Sequence, residues 1–315
     1  MTWYHDDPIG LADAILVSSS GGIDSAKALL DTAAAATARG MLAKVSVVHS
    51  DMGRQEWPAR DDLDGEKPPV RPGYDQRGST ELARAQAASV GVPFVTCRRE
   101  QGDMLQQAGE KNTHHRVGRS TCQGTSDHKR GPIWKVYTRV AKEWRAANPH
   151  AGRPCRILEV MGLTSHEGQA RKKRVATKYQ PCDLGGRIRL NTECTNKGKT
   201  RRNVATWLPI AAQSKVEVWS GVRAAHAATG FPNPSYVYST GIPRLSCSIC
   251  QFSGRQALNK TAQMRPAFFA AYVACEATWD PARPWEKKFT LADIARDIED
   301  GRTVDQVEEA WGDQA

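Results

Sequence analysis

The chain has 315 residues, with 44 Lys+Arg against 34 Asp+Glu and a formal net charge of +10. Its 40% hydrophobic and 25% charged content suits a globular chain rather than a disordered or fibrous one, and no apolar run nears the roughly 18 residues of a membrane helix. Eight cysteines are too few for a disulfide scaffold, and the opening Met1-Thr2-Trp3-Tyr4-His5-Asp6-Asp7 lacks the basic-then-apolar order of a secretory signal. The expectation is a cytoplasmic protein without membrane partners, whose cysteines are reduced thiols, metal ligands or redox groups.

Short apolar runs and helical patterns alternate through the first half. Residues 14–17 predict a buried strand and residues 18–22 a loop. Residues 23–39, rich in Ala and Leu, predict a helix ending near Gly40, and residues 43–48 a second strand. Ser79 can cap a helix running to Val90, with Glu81 in its first turn. Residues 93–96 predict a third strand, Pro132 to Ala147 a helix, and residues 157–161 a fourth strand. Such alternation implies crossover connections, hence an α/β fold with a doubly wound, mostly parallel sheet. After about residue 185 it weakens: residues 188–190 and 205–210 predict strands and 214–229 a helix. A Pro-rich loop at 231–234 then opens a smaller helical region, so domains are expected at 1–230 and 231–315. Phe268, Phe269 and Tyr272 have the spacing of a helix core.

Charge is unevenly placed. Between His166 and Arg202 stand eleven basic residues against Glu167, Asp183 and Glu193, a surplus of eight. Such a window suits a polyanion such as nucleic acid or nucleotide phosphate, its plainer reading being a solvated basic loop. Asp61, Asp62, Asp64 and Glu66, set among prolines, predict an exposed loop.

The strongest local signal is Ser20-Gly21-Gly22-Ile23-Asp24-Ser25 between the first strand and first helix. Paired glycines let the backbone turn tightly and present its N–H groups to phosphate oxygens. The helix that follows points its positive end at the same place. Ser20 and Ser25 can add hydroxyl donors, and Asp24 can hold the loop or help position a cation. No Gly-Lys-Ser/Thr follows, so this is not a Walker-type loop.

Ser-Gly-Gly-x-Asp-Ser resembles the pyrophosphate loop of the ATP pyrophosphatase (PP-loop, adenine nucleotide alpha-hydrolase) superfamily. Further segments are similar to its phosphoadenosine phosphosulfate reductase branch and, within it, to the DNA phosphorothioation sulfurtransferases. His49, Asp51 and Gly53 lie in Val47-Val48-His49-Ser50-Asp51-Met52-Gly53, which resembles the branch's second-strand motif near the adenosine. Thr125, Lys129 and Pro132 resemble its Thr-x-x-x-Lys-x-x-Pro segment, with Gly124 where relatives commonly carry Cys. Gly162, Glu167 and Arg171 with Arg174 follow its Gly-Leu/Ile-Arg-x-x-Glu-x-x-x-Arg pattern, with Thr164 in place of Arg. Trp207-Leu208-Pro209-Ile210 with Val218-Trp219, and Asn233-Pro234-Ser235-Tyr236 leading to Cys247-Ser248-Ile249-Cys250, resemble later signatures, so the likeness runs in order from residue 14 to about 255.

That resemblance implies a Rossmann-like fold and an enzyme that binds ATP with Mg2+ through Ser18, Ser20, Gly21, Gly22, Ile23, Asp24, Ser25, His49, Asp51, Gly53, Gly162 and Glu167. Asp24, Lys129, Arg130, Arg171 and Arg174 would be catalytic, the cations stabilising charge on the α-phosphate and on leaving pyrophosphate. It further implies ATP-dependent sulfur transfer to DNA, or else RNA, with a cysteine desulfurase as donor, other phosphorothioation subunits as partners and a homo-oligomer among the options. The chain's end has no Glu-Cys-Gly-type tail, which counts against the alternative of a sulfonucleotide reductase. A tRNA-thiolating enzyme and a non-catalytic nucleotide-binding subunit are the further alternatives.

Cys247-x-x-Cys250 can place two sulfurs on one iron or zinc, or form a redox disulfide. A tetrahedral site needs two more ligands, drawn from Cys122, Cys155, Cys182 and Cys194. The resemblance favours a 4Fe–4S cluster, with Cys122 and Cys194 as the added ligands. A sulfur-carrying thiol relay is the rival. Cys97 and Cys275 suit packing, and His114 and His115 a polar loop.

Overall fold

The computed structural model describes residues 3–111, 116–117, 121–122, 125–192, 195, 202–245, 247–279 and 289–301. In chain order the first elements are α1 (Trp3–Asp6), β1 (Ala14–Ser18), α2 (Ile23–Thr37), β2 (Val45–Ser50), α3 (Ser79–Ser89) and β3 (Phe94–Cys97). Then come α4 (Met104–Lys111), β4 (Arg116–Val117), β5 (Thr121–Cys122), α5 (Gly131–Ala147), β6 (Cys155–Met161) and α6 (Gln169–Lys178). The last are β7 (Gln180–Pro181), β8 (Arg187–Leu190), β9 (Arg202–Leu208), α7 (Lys215–Thr229), α8 (Arg255–Met264), α9 (Pro266–Glu276) and α10 (Leu291–Glu299).

The chain divides into two compact units, each discontinuous in sequence. The first comprises Met1–Asp51, Ser79–Cys97 and Gly131–Ser235; the second comprises Met52–Gly78, Arg98–Arg130 and Tyr236–Ala315.

The first unit is built on a sheet of order β3-β2-β1-β6-β9-β8-β7. β3, β2, β1, β6 and β9 run parallel, whereas β8 is antiparallel to β9 and β7 to β8. The doubly wound, mostly parallel sheet expected from the alternating pattern is therefore present. Its far edge turns back because β7 and β8 are joined by too few residues for a crossover, and Gly185 and Gly186 carry that turn at φ +85° and +70°. Alternate strand residues face opposite layers. Ile15 and Val17 pack with Ala28 and Leu29 of α2 on one face; Leu16 and Ile157 pack with Val136 and Tyr137 of α5 on the other. Burying both faces explains why β1 reads as an unbroken apolar run.

The second unit is mainly helical. Ile249, Leu258, Phe268, Phe269, Tyr272, Leu291 and Ile294 form its core with Ala108 of α4, so the aromatic series of α9 is packing, as its spacing indicates. Among the described residues no helix is long and apolar enough to cross a membrane.

Candidate functional site

From β1 the chain moves one way to β2 and β3, and from β6 the other way to β9. The loops leaving β1 and β6 therefore diverge at a switch point, where open α/β sheets form a crevice for ligands. β1 and β6 end in register, Ser18 opposite Met161. Gly162 follows directly, and a Cβ there would lie 2.5 Å from Asp24 O and 2.7 Å from Ser25 N. Only glycine lets the β6 loop come this close to the first turn of α2.

The β1 loop is shaped by its own residues. Gly21 has φ +74°, and a Cβ on it would stand 2.6 Å from Ser79 O. The Gly21 N–H donates to Ser19 Oγ at 3.2 Å, while those of Gly22 and Ser20 reach Ser20 Oγ and Ser25 Oγ at 3.4 Å. The last two exceed the usual hydrogen-bond range, so a phosphate oxygen can take these donors over at little cost. Gly22 is the N-cap of α2 and supplies no side-chain cap, which leaves the first turn's donors to other partners. Ser25 Oγ donates to Gly22 O at 2.8 Å and keeps the turn closed.

Two side chains brace this loop from behind. His49, buried at the end of β2, has Nδ1 2.9 Å from Ser19 O and Nε2 3.2 Å from Thr80 Oγ1. A carbonyl only accepts, so Nδ1 carries a proton, and in the neutral ring Nε2 then accepts from the threonine. As placed, His49 serves the loop's backbone. Gln86, 1% exposed, donates Nε2 to Gly21 O at 3.2 Å, and its Oε1 has no hydrogen-bond partner among the described residues.

The loops after β6 and β9 are tied together. Ser165 N and Oγ donate to Ala211 O at 2.9 and 2.7 Å. Beyond them Gly168, at φ +147°, begins α6, anchored by buried Val175 against Leu208 and Ala211. Arg171 is half-buried, whereas Lys172, Lys173, Arg174 and Lys178 are exposed, and α6 carries no acidic residue. Glu167 ends the turn Ser165–Glu167, with its side chain outside the described residues, as are Lys197, Lys199 and Arg201 of the basic window. Lys215, the first residue of α7, pairs with Asp24.

Ser18 to Ser25, His49 and Gly162 thus lie close together in the first unit, with Asp51 extending β2 through its N–H to Cys97 O at 2.8 Å. Gly53, Lys129 and Arg130 belong to the second unit. Gly53 has φ +59°, with Arg98 Nη2 3.2 Å from where its Cβ would be. Lys129 and Arg130 end a π-helical turn, Thr125–Arg130, a conformation often found at functional positions. Buried His128 in that turn lies with Nε2 2.9 Å from Gln107 Oε1.

The Cys-x-x-Cys turn is held through Ser248, the first of the two residues between its cysteines. Ser248 N donates to Gln55 O at 2.7 Å, Thr261 Oγ1 to Ser248 O at 2.9 Å, and Arg265 Nη1 to Ser248 Oγ at 2.6 Å. Arg265 Nη1 also reaches Arg54 O and Glu56 O, both at 2.9 Å. The electrostatic pull of Cys247, foremost, and of Cys250, Cys122 and Glu56 raises the Lys129 pKa despite its burial. Burial pushes the Cys247 thiol up to about 11, against the pull of Lys129. Cys247, Cys250 and Cys122 therefore share one electrostatic neighbourhood. Among the described residues no three His, Cys, Asp or Glu side chains converge as metal ligands, and Cys194 lies outside those residues. Cys97 and Cys155 are pushed up to about 11 and about 12 by burial, as suits packing thiols.

Ser19, Thr80, Gln86 and Lys215 escaped the sequence reading. Ser19 adjoins the motif and could have been included. A glutamine on an Ala-rich helix, or a lysine after a helix cap, carries no motif of its own.

No protein-family model matches the chain, and no curated protein matches its sequence. Among solved structures the chain is similar to a phosphoadenylyl-sulfate (PAPS) reductase from Candida auris in its phosphate complex, at 10% identity and a TM-score of 0.35, over 72% of this chain and 78% of that one.

Proposed function

We propose that this chain is an ATP pyrophosphatase that activates a nucleic-acid substrate, DNA foremost, for incorporation of sulfur. The observation that carries the reading is the start of α2: an uncapped helix end behind a glycine turn, at the switch point of a parallel sheet, with long N–H contacts open to exchange. Backbone donors and the helix's positive end suit a β,γ-diphosphate group. An oxygen of the substrate attacks the α-phosphate, the bond to the β-phosphate breaks, and pyrophosphate leaves. A sulfur nucleophile then displaces AMP from the adenylylated substrate.

Exposed Lys172, Lys173 and Arg174 on α6 suit contact with backbone phosphates, which needs charge rather than base readout. Cys247 and Cys250 are the thiols suited to sulfur handling, as cluster ligands or as a relay. Iron and sulfide content of anaerobically purified protein separates those two roles.

The test is pyrophosphate release from ATP, with and without DNA, by the native chain and by Gly22→Val. Gly22 has φ −74° and ψ 163°, a backbone that any residue adopts, so the change brings no backbone strain, and a thermal melt of the variant checks that it folds. Turnover undiminished in the variant would remove this turn from the active site.

A further inference from the structure

Asp24 and Lys215 form an ion pair that no motif announces. Lys215 Nζ lies 3.2 Å from both oxygens of the Asp24 carboxylate. Asp24 stands in the first turn of α2, directly behind the glycine turn. Lys215 is set by a helix start of its own: Ser214 caps α7 in a reciprocal box with Glu217.

The two helices are locked beside one another. Gln213 Nε2 donates to Asp31 Oδ2 at 3.0 Å, Lys27 pairs with Asp31, and Gly221 admits the Lys27 stem where a Cβ would overlap it. A rigid frame thus carries one ammonium group to the open end of α2. Its present partner holds it weakly: the side chains of Lys215 and Asp24 are 43% and 22% exposed, and pairs so exposed to water contribute little. A pyrophosphate group carries more negative charge than one carboxylate, and the N-terminus of α2 adds its own attraction for anions.

We propose that Lys215 is a phosphate-contacting residue of this site, held in reserve by Asp24 and transferred to the β,γ-phosphates when they occupy the loop. The assignment deepens the ATP reading above and rests on it for the identity of the ligand. Asp24 then acts as a counter-ion that positions the lysine and competes with the ligand for it.

The experiment is calorimetric titration of inorganic pyrophosphate into the native chain, Lys215→Met, Lys215→Arg and Asp24→Asn, with thermal melts of each. Pyrophosphate release from ATP is measured in parallel. Lys215→Met keeps the stem and should bind about ten- to a hundredfold more weakly, the range for losing one charge-assisted hydrogen bond. Lys215→Arg should recover most of the loss. Asp24→Asn should bind several-fold more tightly, because the competing carboxylate is gone. Native affinity in Lys215→Met, or equal weakening in Lys215→Met and Asp24→Asn, would overturn the proposal and make the pair purely structural. A native chain that binds no pyrophosphate would also overturn it. Lysine-dependent pyrophosphate binding without ATP cleavage would instead defeat the ATP reading and leave Lys215 as a phosphate contact.

Discussion

The β1 loop of the first unit and the Cys-x-x-Cys turn of the second are held in opposite ways. Ser19 to Ser25 are shaped mainly by backbone conformation and by hydroxyls within the same few residues, with His49 and Gln86 bracing two carbonyls from outside. Ser248, between the two cysteines, is fixed by groups far away in sequence: Gln55, Thr261 and Arg265. A locally shaped loop fails when an atom is added at Gly21, where two backbones meet. A remotely pinned turn fails when a distant side chain is removed.

The largest effect expected from this contrast is that of Arg265→Ala. Arg265 is 8% exposed, and its removal takes a donor from Arg54 O, Glu56 O and Ser248 Oγ, the last of which keeps its bond to Gln55 O. A buried acceptor left without a donor costs about 1–3 kcal/mol, and two of these bonds are only part-buried, so with the cavity left by the side chain a loss on the order of 3 kcal/mol is expected in chemical denaturation. Alkylation of Cys247 and Cys250 should quicken in the same variant. A loss below about 1 kcal/mol would show that the turn holds itself.

Next comes Gly21→Ala against Gly22→Ala. At φ +74° a side chain on Gly21 is strained, and its Cβ would stand 2.6 Å from Ser79 O. Strain of this kind costs about 1–3 kcal/mol, before any overpacking is added. Gly22, in extended backbone, should accept alanine at under about 1 kcal/mol. Equal losses at both positions would erase the distinction between a glycine needed for folding and one needed for a ligand.

The same contrast explains what the amino-acid sequence made legible. Apolar runs at 14–17 and 157–161 correspond to strands because both faces of the sheet are buried, and Ser20 to Ser25 stand out because their spacing is the geometry. The antiparallel return of β8 and β7 was not legible, since residues 188–190 carry no sign of strand direction. Nor does any local pattern announce that residues 52–78 and 98–130 group with the C-terminal helices. That grouping is carried by single long-range contacts such as Ser248 to Gln55. Lys215 was invisible for the same reason: its meaning lies in Asp24, 191 residues away.

Within the first unit Glu159 is likewise a group pinned remotely. It is 6% exposed; Tyr137 OH donates to Oε1 at 2.8 Å, while Asn191 Nδ2, at 2.9 Å, and the Thr206 hydroxyl donate to Oε2. Glu159→Gln keeps the shape but turns an NH2 group toward one of these donors. The expected loss is about 1–2 kcal/mol by chemical denaturation. No loss would mean that the tyrosine hydroxyl reverses and accepts.

The smallest effect expected is one the two units should share. In the first unit Asp13 accepts from Arg153 at 2.6 and 2.8 Å and from Arg156 N at 2.8 Å. In the second, Asp103 accepts from Gln106 N at 2.9 Å and from Arg54 Nε at 2.8 Å. Burial pushes both carboxyls up, but the hydrogen bonds and neighbouring arginine charge outweigh it, so each pKa falls below the ordinary 3.8. A lowered folded-state pKa means that the unfolded chain binds more protons in that window, so stability rises with pH across it. The contribution is complete above the ordinary aspartate value and is lost as pH falls through the lowered one. Because Arg153 and Arg54 are 40% and 60% exposed, solvent screening limits each contribution to about 1 kcal/mol or less. Asp13→Asn and Asp103→Asn should each flatten the acid limb of stability against pH, measured by denaturation between about pH 5 and pH 2. Since the two carboxylates share no partner, the double variant should flatten it by the sum. A double variant that flattens it no more than one single variant would show that the two units unfold in separate acid transitions, only one of which the measurement reads.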